Sequence, residues 1–306
     1  VDLARMISTG EREFLLFAIT PPRASTSPER MAAIGEATLS RLRSVDPDGV
    51  VLYDIADEND RNPDERPFPF LPTVDPADFL ADQLSAWQKP AIVYRSVGKY
   101  AEPDLETWLA TQPTDRILSV LVGSSSSRNI GQTSLRSAYA MRETVRPELI
   151  IGGVVIPERH QARGDEHLRM LEKQSAGCSF FVSQVLYDVN AAKNLVSDYR
   201  DVCEARAIRP RPIAFTLSVC GSIKTLEFLT WLGVQVPNWI QRDLTRSEDT
   251  LAASYEHVRA AAFDMLTYCR RLEVPVGLNV ESVSTRRVEI EAAVRLADEV
   301  KAALRR

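Results

Sequence analysis

Histidine is scarce in this sequence: His160, His167 and His257 are the whole supply among 306 residues. No grouping of histidine, cysteine and carboxylate along the chain has the spacing of a zinc or iron site, so no metal is expected. The four cysteines, Cys178, Cys203, Cys220 and Cys269, are scattered. That excludes a disulfide framework and points to a reducing compartment. No apolar run approaches the roughly 18 residues of a membrane helix. The first ten residues lack the apolar stretch and cleavage site of a signal peptide, so a cytoplasmic protein is expected. An excess of one charge is missing too. The 37 basic and 42 acidic residues are interleaved and leave a net charge of −5, which argues against nucleic acid or an acidic membrane as partner. Neither a Gly-x-Gly-x-x-Gly nor a Walker loop occurs, so a nucleotide would have to be held without those loops. There is no Gly-x-Ser-x-Gly elbow either, and the run 124–127, four serines after a strand, reads as a polar turn.

What is present is a repeated unit. Short runs dense in Val, Ile, Leu and Phe occupy 13–20, 49–56, 90–96, 116–123, 149–156, 179–187, 212–219 and 274–281. They are not strictly alternating, as expected of strands buried on both faces. Between them, segments with helical spacing cover 28–44, 75–88, 105–112, 134–144, 165–175, 190–204, 222–233, 247–271 and 287–304. The stretch 247–271 reads as one long helix or two joined. Eight strand–helix units imply parallel strands with crossover helices, which close naturally into a barrel. The expected fold is therefore α/β, a single (β/α)8 TIM barrel over 1–306. An open doubly wound sheet shares the local pattern, and the count of eight favours the barrel. The polar run 58–72 reads as a long loop after the second strand, either a surface insertion or part of a site.

In such a barrel, polar side chains at the carboxyl ends of the strands converge on one pocket. In chain order they are Thr20; Tyr53, Asp54 and Asp57; Tyr94, Arg95 and Ser96; Ser124; Glu158 and His160; Gln184 and Tyr187; Thr216 and Ser218; Asn279 and Glu281. The set is rich in amides and hydroxyls. Gln184 stands inside Phe180-Phe-Val-Ser-Gln-Val-Leu-Tyr187, where an amide needs partners to offset the cost of burial. A neutral group that both donates and accepts suits a pterin or amide edge.

The stretch Ala176-Gly-Cys-Ser-Phe-Phe-Val-Ser-Gln184-Val-Leu-Tyr-Asp188 resembles the methylenetetrahydrofolate reductase family, with its Ala-Gly, a strand ending in Thr-Gln, aromatics and Asp. Phe17-Ala-Ile-Thr-Pro-Pro-Arg23, Pro157-Glu-Arg-His160, Phe215-Thr-Leu-Ser-Val219 and Val236-Pro-Asn-Trp239 resemble further blocks of that family in the same order. The resemblance implies a tetrahydrofolate bound at the strand ends and a role in one-carbon metabolism. By it, Gln184 contacts the pterin, Ile223 takes a position where an aromatic often packs on the folate, and Tyr187, Thr216, Asn279 and Ser124 join the substrate side. Tyr94, Arg95, Gly123, His160 and Lys173 fall on the cofactor side.

The departures are as informative. Ala18 stands where the family carries the glutamate that opens the methylene bridge as general acid. Val122-Gly-Ser124 replaces Arg-Gly-Asp near the flavin, and Tyr94 replaces a histidine. NAD(P)H is therefore expected as hydride donor, with FAD absent or weakly held. The acid must come from elsewhere, with Asp54, Asp57, Glu158 and Glu281 as candidates; which of them faces inward is not settled by strand parity. The leading expectation is reduction of 5,10-methylenetetrahydrofolate to 5-methyltetrahydrofolate. The alternatives are a folate-binding homologue without activity, or a pterin-dependent methyl-transfer component. The partners expected are a tetrahydrofolate derivative and, as an open possibility, a second copy of the chain.

Overall fold

A computed structural model describes residues 2–56, 64–123 and 131–305. The strands are β1 (Phe14–Ile19), β2 (Gly49–Leu52), β3 (Ala91–Ser96), β4 (Ile117–Val122), β5 (Ile151–Val155), β6 (Cys178–Val185), β7 (Ile213–Ser218) and β8 (Val276–Glu281). They close in sequence order into one barrel, with β1 pairing β8 in parallel. All eight expected strands are present, and the barrel is the expected (β/α)8 form.

The helices are α1 (Leu3–Thr9), α2 (Pro28–Val45), α3 (Pro76–Gln83), α4 (Glu102–Thr111), α5 (Leu135–Val145), α6 (Pro157–Arg163), α7 (Glu166–Ser175), α8 (Val189–Ala205), α9 (Ile223–Trp231), α10 (Asn238–Arg246), α11 (Thr250–Arg271) and α12 (Arg287–Ala303). Several begin on side-chain caps that satisfy first-turn amides. Asp75 accepts from the Ala77 amide at 2.8 Å, Asp188 from that of Ala191 at 3.1 Å, and Asp249 from that of Ala252 at 3.0 Å. The stretch 247–271 holds one helix, α11. Three helices, α1, α6 and α10, were not expected from periodicity. No helix among the described residues is long and apolar enough to cross a membrane.

Alternate residues of each strand face the barrel axis. Phe14, Leu16 and Ala18 of β1 form one buried cluster with Val51, Ile92, Tyr94, Leu118, Val120, Phe180, Val182 and Ala214. The outward set, including Leu15, Phe17, Val50 and Phe215, packs under the helices. Leu3, Met6 and Ile7 of α1 join the inner cluster and so close the amino-terminal end of the barrel. Two inward glycines make room for aromatic rings. A Cβ on Gly277 would lie 2.3 Å from the Phe14 ring, and one on Gly152 would lie 2.6 Å from that of Phe180.

This parity decides what the carboxyl ends present. The β1–β8 register pairs Leu16 with Asn279 and Phe17 with Val280. One step further along the same register sets Glu281 beside Ala18, facing inward with it.

Candidate functional site

A cavity of about 2230 Å³ runs from the carboxyl ends of the strands out over the helix layer, where Glu143 and Gly177 also line it. Ala18, Tyr53, Tyr94, Thr216 and Glu281 contribute to its lining, as do Gln184 and, from α9 and the turn after it, Phe228, Trp231 and Leu232. Asn279 lies one inward position below Glu281 and is fully buried. Its Nδ2 donates to the Tyr53 hydroxyl at 3.0 Å and to Thr216 Oγ1 at 3.1 Å. Thr216 Oγ1 in turn donates to the Ser183 carbonyl at 2.6 Å. The Tyr53 phenol is near enough to Glu281 to favour its charged form, and its ring meets that of Tyr94 edge-on at 4.9 Å. The result is a chain of polar contacts running from β6 through β7 and β8 to β2, ending on one carboxyl.

That carboxyl is unusual. Glu281 is 7% exposed, and burial pushes its pKa from 4.5 to about 7, the nearby Tyr53 phenol pulling slightly the other way. Burial also drives the Tyr53 and Tyr94 phenols upward, and the nearby Glu281 charge adds to it. The site thus holds a carboxylic acid poised to be neutral or charged near pH 7, as general acids require.

The other expected acids have different places. Asp54 borders the cavity, but its carboxylate faces the β2–β3 side. It accepts from the Ser96 amide at 2.8 Å and the Tyr100 hydroxyl at 2.8 Å, and it pairs with Lys99. These bonds tie β2 to the turn after β3 and occupy the carboxylate with protein partners. Glu158, in the first turn of α6, is also buried, and burial raises its pKa to about 7. It is absent from the cavity lining and accepts from the Gln235 amide at 3.4 Å. Asp57 lies outside the described residues, as does Ser124.

Gln184 lies within a register irregularity of the β6–β7 pairing, between Val182 and Val185. Its Nε2 donates to the Leu232 carbonyl at 2.8 Å, which leaves its amide oxygen as the end able to accept from a ligand. Thr216 is at the cavity and Asn279 directly supports it. Tyr187, expected on the substrate side, is elsewhere: it follows the end of β6, and its hydroxyl bonds the Ser218 carbonyl and Ser254 at 3.0 Å each. Ile223 does not take the aromatic position either. It is 41% exposed and off the cavity wall, whereas Phe228 and Trp231, one and two turns further along α9, are on it.

The residues expected on the cofactor side divide, three at the cavity and two away from it. Tyr94, Gly123 and Lys173 line the cavity. Lys173, however, spends its ammonium on the Val154 carbonyl, and burial lowers its pKa. Arg95 points outward from β3. It is held by Asp75 at 2.6 Å and Tyr100 at 3.0 Å, with its guanidinium over Trp108. His160 is off the cavity and bonds Asp198 at 2.9 Å. With His167 these two form the group of three among the described residues whose ligand atoms lie within 4.8 Å of one another. Sequence spacing did not reveal it, because Asp198 comes from α8.

Periodicity also missed an aromatic rim. The described part of the long loop, from residue 64 on, brings Arg66, Phe68 and Phe70 against α9. The Arg66 guanidinium stacks over Phe70, Phe228 and Trp231, and Phe68 meets Phe228 edge-on at 5.3 Å. All five residues line the cavity, so this loop is part of the site.

No family profile matches the sequence, and no curated protein does. A solved structure does. An uncharacterized protein from Clostridium thermocellum that binds two copies of 5-methyl-5,6,7,8-tetrahydrofolic acid is 36% identical, with 98% of this chain and 99% of that one aligned at a TM-score of 0.87. The chain belongs to the family of that protein. More distant likenesses reach a dihydropteroate synthase from Xanthomonas albilineans (12% identity, 96% and 94% covered, TM-score 0.44). They also reach a xylanase from Paenibacillus barcinonensis (11%, 91% and 87%, 0.49). Neither is close enough to bear on the function of this family.

Proposed function

We propose that this protein binds a reduced folate at the barrel mouth and reduces 5,10-methylenetetrahydrofolate to 5-methyltetrahydrofolate, with Glu281 as the general acid. The observation that carries the reading is Glu281 itself: a buried, cavity-lining carboxyl with its pKa raised to about 7, level with Ala18. The resemblance to the reductase family puts the missing glutamate at Ala18. In a parallel barrel, neighbouring strands lie about 4.8 Å apart. An acid moved from β1 to β8 at the same level therefore reaches nearly the same point in space. Folate binding by the Clostridium thermocellum relative supports the ligand class.

In this reading the pterin lies against Gln184, Tyr53 and Tyr94, and the aminobenzoyl ring against the Phe228 and Trp231 wall. Glu281 donates its proton to the bridge nitrogen that leaves, opening the five-membered ring and generating an electron-poor carbon on the other nitrogen. A nicotinamide supplies the hydride that this carbon takes up. The carboxylate left on Glu281 is stabilised by the Tyr53 hydroxyl, which Asn279 holds in place from below. Of the residues that the resemblance puts on the cofactor side, Lys173, His160 and Arg95 bond protein partners, and no step is assigned to flavin.

A folate-binding protein without turnover is the second reading, favoured by Ala18 and by the methylated product form bound to the relative. One assay separates the two. The purified protein is given 5,10-methylenetetrahydrofolate with NADH or NADPH, and nicotinamide oxidation is followed alongside calorimetric folate binding. Turnover is expected. Tight folate binding with no oxidation of either nicotinamide would eliminate the reductase and leave the binder.

A further inference from the structure

Away from the cavity, α6, α7 and α8 bring two imidazoles and a carboxylate together. His160 stands in the last turn of α6, His167 in the first turn of α7, and Asp198 on α8. One nitrogen of each ring and one Asp198 oxygen all lie within 4.8 Å of one another. The two rings meet edge-on with centroids 5.1 Å apart, and His160 Nε2 shares a hydrogen bond with Asp198 at 2.9 Å. His160 is buried and fixed, whereas His167 is partly exposed and Asp198 exposed. A tetrahedral ion with bonds of about 2.0–2.1 Å sets its ligand atoms about 3.3 Å apart. Side-chain movements of about 1.5 Å or less, by the two accessible members, therefore complete that geometry.

Two further observations point to a cation. The Nδ1 atoms of His160 and His167 are both buried and have no hydrogen-bond partner among the described residues. A neutral imidazole carries one lone pair and one N–H, and leaving such a group buried and unmet costs stability. An ion between the rings takes up lone pairs that no protein donor meets. Burial and the neighbouring His160 ring also hold the His167 pKa below its ordinary value, so at pH 7 this ring is neutral, as a ligand must be. Asp165 adds negative charge beside His167. It keeps its own Oδ1 buried and unpaired, with Arg169 at 3.5 Å from Oδ2.

We propose that His160, His167 and Asp198 bind one divalent transition-metal ion of the zinc class, which ties α6 and α7 to α8. Two nitrogens and one oxygen form a borderline donor set that suits zinc, whereas magnesium and calcium favour oxygen ligands throughout. Three protein ligands leave a fourth position for water. None of the three residues lines the cavity at the barrel mouth, so the ion acts on stability and is independent of what that cavity binds.

The test uses the full chain, purified without a metal-binding tag and stripped with a chelator. Calorimetric titration with Zn²⁺ should give one ion per chain. Zn²⁺ at about 100 times its Kd should raise Tm by about 5 °C. Co²⁺ should give the visible bands of a four-coordinate nitrogen and oxygen site, with no thiolate charge-transfer band. His167→Ala and Asp198→Asn should each weaken Zn²⁺ binding by about 100-fold, since losing even a group behind a ligand costs about 10–100-fold. Asp198 is exposed, so Asp198→Asn keeps the test valid should His167→Ala fail to fold. His257→Ala removes a second His–Asp pair, made with Asp243 at 2.6 Å, and should leave Zn²⁺ binding intact. No binding at about 100 μM Zn²⁺, binding that survives both ligand changes, or a thiolate band with Co²⁺ overturns the proposal.

Discussion

Replacing Glu281 by Gln isolates one proton. The change keeps the shape of the side chain and a group able to accept from Tyr53, and it removes ionisation. Glu281 stays protonated to about pH 7 in the fold rather than 4.5, equivalent to a penalty of roughly 3 kcal/mol on its charged form. The sign follows from proton counting. Between these two values the unfolded chain has lost the proton and the folded chain still holds it, so raising the pH destabilises the fold. The unaltered protein should therefore lose roughly 2–3 kcal/mol relative to Glu281→Gln between pH 5 and pH 8, read by urea unfolding at each pH. The same variant should cut turnover by ~10²- to 10⁴-fold, the usual contribution of a positioned acid, and leave folate affinity within a few-fold. In the unaltered protein, turnover should fall as pH rises through about 7, because the acid form is the working one. Glu158→Gln is the control: that carboxyl is equally buried and equally shifted but off the cavity, so its loss should move stability and spare the rate. A stability difference that ignores pH, or full turnover in Glu281→Gln, would refute the assignment.

Gln184→Ala should weaken folate binding by about 1–3 kcal/mol, the cost of one lost hydrogen bond at a buried site; unchanged affinity by calorimetry would take Gln184 off the pterin. The protein should purify without flavin, since Lys173, His160 and Arg95 are committed to protein partners; a stoichiometric flavin band in the visible spectrum would contradict this. Gly277→Ala should destabilise the fold by roughly 1–3 kcal/mol, because the new Cβ would meet the Phe14 ring at 2.3 Å. A urea midpoint indistinguishable from that of the unaltered chain would show that the ring can shift.

The barrel was legible because parallel strands covered on both faces must be dense in branched apolar residues, and each such run stands out between amphipathic helices. The helices that escaped notice have physical reasons. α1 and α6 are seven residues each, too short to display a period, and α10 follows Pro237, which reads as a turn. The site was legible only as a ring of polar strand ends. Asp54 and Glu281 look alike in sequence, since each carboxylate closes an apolar run. The first falls on the outward phase of its strand and the second on the inward phase, and one residue of phase separates a structural anchor from an acid. Phe228 and Trp231 were hidden for the opposite reason, because in a helix their spacing matches that of any buried face.

Under the proposed reaction, Ala18 and Glu281 together would let a barrel keep a function while its sequence signature moves. An inward position on one strand has neighbours at the same level on both adjoining strands, and side chains from all three reach the same volume above the core layer. Replacing the β1 residue with alanine opens space there, and the acid on β8 faces into it. The move needs support from below, because a buried carboxyl without partners would cost several kcal/mol. Tyr53 and Asn279 supply that support, and both are inward residues of strands next to the vacated place: β2 on one side of β1 and β8 on the other. The polar chain Thr216–Asn279–Tyr53–Glu281 thus bridges across the alanine. On the proposed reading, β1 alone registers a lost acid, and the three strands taken as a ring register a displaced one.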